Sequence, residues 1–417
     1  MALPQAPVAD LKMIPQVLSP KPLLTNEELD RFYRREVNEV RGEDATLRLA
    51  AKFRQAFRAV PYKTFVLGHP GVGKSTEITR LLRELNSQYC GIRISITSEL
   101  NPASFRVFDV LLLMMIKAEE EAKERLGQGL LDSAIARNLW SKVLHYLDDG
   151  KTTETRSRGA EFQAEAGFKL LKGQIKFAAD RKSETVERHL KRLPELVDHS
   201  NRLIAHYANS LKNVEGKEWL FVLEDFDKSG IAGGQLKEVF VQYGAVFEEL
   251  TAHMLFTIPV WLAYSDDALR LPFPKAPIHD TPVFDKYHAD HTQGRNAVRA
   301  VLDARVSPEL IEPEQAERLI VASGGNLRDL FYMVSDAADR ALLRGVSARM
   351  VNRQDVTRAI GAMRSEYKNR LGESPYDPKP IHWDEKARKL LSVYHNEPGS
   401  DIPDPVLYSL LRARAVQ

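Results

Sequence analysis

Cysteine is nearly absent from this chain, with Cys90 alone among 417 residues. A disulfide framework within the chain is therefore excluded, and a reducing cytoplasm is the expected compartment. Cys90 sits in a strand-like run and reads as a small buried hydrophobe. Excess charge of either sign is missing too: 59 Lys and Arg face 57 Asp and Glu, a formal net of +2. The chain as a whole is no polycation, so any nucleic-acid contact has to be local. Long apolar runs are also lacking. The longest, Val110 to Ile116, falls far short of the ~20 residues that cross a bilayer, so no transmembrane segment is expected. Met1 to Pro22 carries no apolar signal core and is interrupted by Pro4, Pro7, Pro15, Pro20 and Pro22. It reads as a flexible or extended arm without a secretory signal. No internal repeat or low-complexity tract is present, and the length calls for two or three domains.

What is there begins with Gly68-His69-Pro70-Gly71-Val72-Gly73-Lys74-Ser75, which fits G-x-x-x-x-G-K-[ST], the phosphate-binding loop of P-loop NTPases. Thr64 to Leu67 is a β-prone run ahead of it. Thr76 to Leu85 behind it places Ile78, Leu81, Leu82 and Leu85 at helical spacing. Strand, glycine loop and helix let backbone N–H groups wrap phosphates, with the helix N-terminus adding positive potential. The spacing gives Lys74 the β- and γ-phosphates and Ser75 a Mg²⁺ ligand role, with Thr76 beside it.

Thr25-Asn26-Glu27-Glu28 reads as a capped helix start, and helix is expected to about Ala59 with a break near Gly42. Cys90 to Ile96 alternates like a strand. Helices are expected from Pro102 to about Leu126, to Leu147, and from Ser183 to Leu211. Between them, Lys151 to Arg158 reads as a loop, and Ala166 to Ala178 as a β-hairpin turning at Lys172-Gly173-Gln174, or as two short strands. Lys151 to Arg192 holds eleven Lys and Arg against six Asp and Glu. Such a basic insert suits a nucleic-acid backbone, a solvated face or a subunit contact.

Trp219 to Leu223 is a continuous apolar run, as a buried parallel strand should be, and it leads into Glu224-Asp225-Phe226-Asp227-Lys228. Acids at the end of such a strand supply one carboxylate to Mg²⁺ and one to the attacking water. The usual register gives Glu224 the metal and Asp225 the water, with Asp227 a third candidate. The next strand, His253 to Ile258, carries Thr257 at its end. Arg270 precedes a further strand expected at Ile278 to Phe284. Pro313 to Ser323 reads as a helix ending in Gly324-Gly325, Asn326 as an N-cap, and Leu327-Arg328-Asp329 as the start of a helix to Leu343, stopped by Gly345. Arg353 to Leu371 is a further helix. Beyond the proline-rich Ser374 to Pro380, Asp384 to Tyr394 and Pro403 to Ala413 are short helices.

Taken together, Gly68 to Thr76, Glu224 to Lys228, Thr257-Ile258-Pro259 and Gly324 to Arg328 resemble a bacterial AAA+ ATPase of the origin-recognition and STAND-like branch found among signalling and conflict-system (antiphage defence) proteins. The resemblance spans Leu23 to Leu371. It implies an α/β P-loop core, a parallel sheet with helices on both faces, plus a C-terminal helical lid and a small winged-helix-like end. The corresponding divisions are 1–59, 60–288 with an insert at about 102–212, 289–372 and 373–417. It implies ATP and Mg²⁺ as cofactors, hydrolysis to ADP, and switch-like assembly as a homo-oligomer or with a partner effector. By the same resemblance Thr257 takes the sensor 1 position, Arg328 the sensor 2 position at the γ-phosphate, Arg270 that of a trans-acting finger, and Phe32 to Val40 the stretch that packs on adenine. Two features depart from the family: Glu224 stands where Asp is usual, and no finger is secure. A DNA-bound ATPase regulating transposition or replication is the alternative.

Overall fold

The computed structural model describes residues 5–126, 133–147, 183–228, 230–345, 348–374, 377 and 379–416. The loop and hairpin expected at 151–158 and 166–178 lie outside these residues. Five strands, β1 (Lys63–Leu67), β2 (Tyr89–Ser95), β3 (Glu218–Glu224), β4 (His253–Ile258) and β5 (Lys275–Pro277), form one sheet. Every pairing is parallel, in the order β2-β3-β4-β1-β5. Helices of seven or more residues are labelled α1 (Asn26–Phe32), α2 (Ala45–Ala56), α3 (Lys74–Leu85), α4 (Val107–Leu126), α5 (Ala134–Leu147), α6 (Ser183–Lys191), α7 (Leu193–Glu215), α8 (Thr292–Asp303), α9 (Pro313–Ala322), α10 (Leu327–Arg344), α11 (Arg353–Arg370), α12 (Trp383–Tyr394) and α13 (Pro405–Ala413).

A parallel sheet is covered on both faces, which explains the apolar runs at the centres of β1, β3 and β4. Phe65, Phe221, Leu223 and Phe256 pack with Phe108, Trp140 and Leu203 of α4, α5 and α7. Their alternates, Val66, Leu220, Val222 and Leu255, pack with Phe53 of α2 and Ile78 and Leu81 of α3. Each fully buried Ile or Leu here contributes about 1.5–3 kcal/mol. Glu77 ties α3 to the elements before the sheet. Its carboxylate accepts from Tyr33 Oη at 3.1 Å and Thr46 Oγ1 at 2.6 Å, while Arg80 pairs with Asp44 at 2.6 Å.

A separate core joins α8 to α11. Val8, Leu11, Ile14 and Val17 are buried in it, and Val8 bridges Val306 in parallel. The expectation of a flexible or extended arm therefore fails for residues 8–18. Their apolar side chains recur at helical spacing, which the prolines obscured. The expected strand at 278–284 is also corrected. Pairing covers only Lys275–Pro277 with Phe65, Val66 and Leu67. The chain beyond it turns to meet the lid, so the Thr281 carbonyl lies where a Cβ on Gly325 would come within 1.7 Å. Glycine alone permits that approach. Helix α4 starts at Val107 rather than Pro102. Past Gly372 the chain forms the helices α12 and α13, with no strand among the described residues. Among the described residues no helix is long and apolar enough to cross a membrane.

Candidate functional site

The loop between β1 and α3 has its carbonyls engaged. Lys74 Nζ donates to Gly68 O at 2.7 Å and His69 O at 3.1 Å. Pro70 O accepts from Asn326 Nδ2 at 3.2 Å and Arg414 Nη1 at 2.9 Å. Val72 O accepts from Arg41 Nη2 at 2.9 Å. With the carbonyls held, the loop presents the opposite edge of its backbone, and the first N–H groups of α3 are those every helix start leaves without an internal acceptor. Gly68, Gly71 and Gly73 all have positive φ. At Gly71 a Cβ would meet Asn326 Oδ1 at 2.2 Å and Arg328 Cβ at 2.7 Å. The loop conformation and its contact with the lid thus require the same residue.

The acids after β3 take three different partners. Glu224 ends the strand and accepts from Arg93 on neighbouring β2, with Arg93 Nη2 at 2.5 Å. Arg93 also donates to Thr79 Oγ1 at 2.8 Å, so Glu224 is held toward α3. Asp225 leaves the strand with φ of 77°. Its carboxylate accepts from Ser95 Oγ at 2.5 Å and pairs with Lys228 at 2.9 Å. Asp227 reaches Lys74, Oδ2 to Nζ 2.8 Å, with both side chains over nine-tenths buried. Burial alone would raise the Asp227 carboxyl, but the ammonium of Lys74 outweighs it and holds the group below the usual carboxylate range. Thr257 links two of these residues. Its hydroxyl accepts from Asp225 N at 2.9 Å and donates to Asp227 Oδ1 at 3.3 Å.

One cavity of about 1130 Å³ joins these groups. Pro70 to Thr76, Glu224, Asp225, Asp227 and Thr257 line it from the core, and Leu327, Arg328 and Phe331 from the lid. Phe32, Tyr33, Arg34 and Val37 line it as well, from the stretch expected to pack on adenine. Strand C-termini facing a crevice are where open α/β sheets bind ligands. Asn326 fixes the junction. Its Oδ1 caps α10, while its Nδ2 donates to Asp280 Oδ1 at 2.8 Å as well as to Pro70 O. Burial pushes the Asp280 carboxyl up to about 6, against the pull of Arg41 and Asn326. The Arg328 guanidinium has no hydrogen bond or ion pair among the described residues. Arg305 lies between the rings of Phe32 and Phe331, 4.9 and 5.1 Å from their centroids, and burial lowers it to about 10.

Pro70, Gly71, Val72, Gly73, Lys74, Ser75, Thr76, Glu224, Asp225, Thr257 and Arg328 thus meet around one space, while Gly68 and His69 stand behind it with their carbonyls on Lys74 Nζ. Arg270 does not. Two-thirds exposed, it pairs within its own turn with Asp267 at 3.5 Å. Cys90 is buried, and burial pushes its thiol up to about 11. Arg93, Arg41, Asp280 and Arg414 were not singled out from the sequence. Arg93 offered a signal, as the only charged residue of an alternating strand that ends level with Glu224, Ser95 being Glu224's partner in register.

Sheet, glycine loop and adjoining helical unit make this an α/β P-loop fold with a helical C-terminal part. Among solved structures, the chain is similar to the Orc1 protein of Aeropyrum pernix in complex with DNA, at 13% identity and a TM-score of 0.40, covering 94% of this chain and 79% of that one. It is also similar to a Walker-type ATPase of Pyrococcus abyssi, at 13% identity and a TM-score of 0.36, covering 95% of this chain and 99% of that one. No protein-family model matches the sequence, and no curated protein matches it.

Proposed function

We propose that the chain is an ATP-binding and ATP-hydrolysing molecular switch of the AAA+ type. The observation that carries this reading is convergence: the P-loop, the acids after β3 and the start of α10 line one cavity between core and lid. Phosphates would lie against the loop N–H groups and draw Lys74 from Asp227, exchanging one anionic partner for another. The donor set suits Mg²⁺, with a Ser75 hydroxyl and the carboxylates of Glu224, Asp225 and Asp227 offering hard oxygens. Bound there, Mg²⁺ supplies charge neutralisation to the transferring phosphoryl group. Asp225 orients the attacking water, Thr257 fixes Asp225 through its backbone N–H, and Arg328 reaches the γ-phosphate from the lid.

Closure of the lid would then alter assembly with further copies or with a partner effector. Placement in a bacterial antiphage system rests on the sequence resemblance. The test is equilibrium binding of a fluorescent ATP analogue together with phosphate release. The wild type binds and releases phosphate, and Lys74→Ala loses tight binding. Equal binding by Lys74→Ala would sink the reading. A DNA-associated ATPase is the second reading, favoured by the surplus of basic residues in 151–192. Neutralising Lys169, Lys172 and Lys176 should then abolish salt-dependent DNA binding.

A further inference from the structure

Helix α13 is capped by Arg414, whose left-handed conformation (φ 61°, ψ 31°) turns the chain toward the glycine loop. Two contacts follow from that turn. Arg414 Nη1 donates to Pro70 O at 2.9 Å, and Val416 O lies 2.8 Å from His69 Nε2. Arg414 is also held on its far side. Its Nη2 is 3.3 Å from Asp329 Oδ1, and its guanidinium lies 5.7 Å from the Tyr367 ring centroid. Tyr367 in turn donates to the other Asp329 oxygen at 2.6 Å. The Pro70 carbonyl therefore takes two donors, Asn326 from the lid and Arg414 from the segment behind α13. Arg414 lines the same cavity as Lys74 and Arg328. The helix that delivers it is anchored on the core. Arg412 stacks 4.4 Å over Trp261 and pairs with Asp377 at 3.0 Å, and Tyr408 Oη donates to Asp266 at 3.0 Å.

We propose that Arg414 is a positioning residue of the glycine loop, supplied in cis by α13, and that it couples nucleotide binding to docking of α13. This rests on the ATP-binding reading above. An anion at the loop adds a second attraction to a guanidinium already placed beside it, so nucleotide strengthens docking. Linkage requires the converse: docked α13 raises nucleotide affinity by the same factor. Arg414 thus acts as a positioning residue that holds the Pro70 carbonyl and the loop in their bound shape.

The test is hydrogen–deuterium exchange of the full chain with and without a non-hydrolysable ATP analogue and Mg²⁺. Amides 406–416 should exchange roughly fivefold or more slowly with the analogue, alongside protection of amides 71–76. Arg414→Gly keeps the left-handed turn, which glycine favours, and deletes the guanidinium. In that variant the nucleotide effect on 406–416 should vanish and analogue affinity should fall by a similar factor. Arg414→Lys, which keeps charge without the fork, should recover part of both. Protection of 71–76 with no change in 406–416 overturns the inference and leaves ATP binding standing. Protection of neither segment overturns both.

Discussion

Lys74 and Asp227 meet at 2.8 Å, ammonium to carboxylate, with 7% and 9% of their side chains exposed. Removing one member of a buried pair leaves the other uncompensated, at about 3–5 kcal/mol. Lys74→Ala should lose stability of that order in urea denaturation, and Lys74→Ala with Asp227→Asn should lose clearly less. The carboxyl of Asp227 is held low by Lys74, so its contribution is present above the ordinary aspartate range and disappears as pH falls through its folded value. The stability gap between wild type and Lys74→Ala should therefore shrink as pH falls through the folded Asp227 value.

The three acids take three different partners, and the proposed function gives them different roles. Asp225→Asn should keep analogue affinity and lower phosphate release by about 10²–10⁴-fold. Glu224→Gln weakens the hold of Arg93 and should reduce the Mg²⁺ dependence of binding. Normal turnover by Asp225→Asn transfers the water-orienting role to Glu224 or Asp227.

Thr257→Val keeps the shape and removes the hydroxyl that bridges Asp225 N and Asp227 Oδ1. A buried N–H without an acceptor costs about 1–3 kcal/mol. A loss of that size in thermal unfolding is expected, together with slower turnover, while Thr257→Ser should restore most of both.

A methyl group on Gly71 would stand 2.2 Å from Asn326 Oδ1, at a φ of 104° that side chains rarely adopt. Gly71→Ala should therefore separate loop from lid and lose analogue binding, with limited proteolysis detecting newly accessible sites near residues 280–330. An unchanged cleavage pattern would show that the junction yields elsewhere.

Burial pushes the Asp280 carboxyl up to about 6 in the folded chain, above the ordinary aspartate value. A carboxyl raised on folding contributes stability that is full below its unfolded pKa and is lost as pH rises through the folded one. The window runs from about pH 4 to pH 6 and is worth up to roughly 3 kcal/mol. Relative to Asp280→Asn, the wild type should lose unfolding free energy across that window and stay level above it.

How much of this the sequence discloses depends on whether the signal is contiguous. The glycine loop is eight consecutive residues between a strand and a helix, and both flanks follow from periodicity. The pairing of Lys74 with Asp227 was not readable by counting from Leu223, because Asp225 at positive φ ends the two-residue alternation that such counting assumes. The packing of residues 8–18 with α8 to α11 is hidden in the sequence because five prolines punctuate residues 1–22. The short β5 begins three residues earlier than expected: Ile278 packs beside α2 and α3 just past its end, and Val283 is buried in the core of α8 to α11 instead of a ladder. Arg414 lies some 340 residues from Pro70, and nothing local to either announces the contact.

The strand order has a consequence for synthesis. β1 lies between β4 and β5, so on the ribosome both its edges stay unpaired until its partners about 190 and 210 residues downstream have emerged. At ~5–20 residues per second that interval is about 10 to 40 seconds, during which the glycine loop has no sheet to stand on and an apolar strand is open to association. Chaperone demand and expression yield should therefore respond to translation speed through residues 68–258 more than to codon choice after β5.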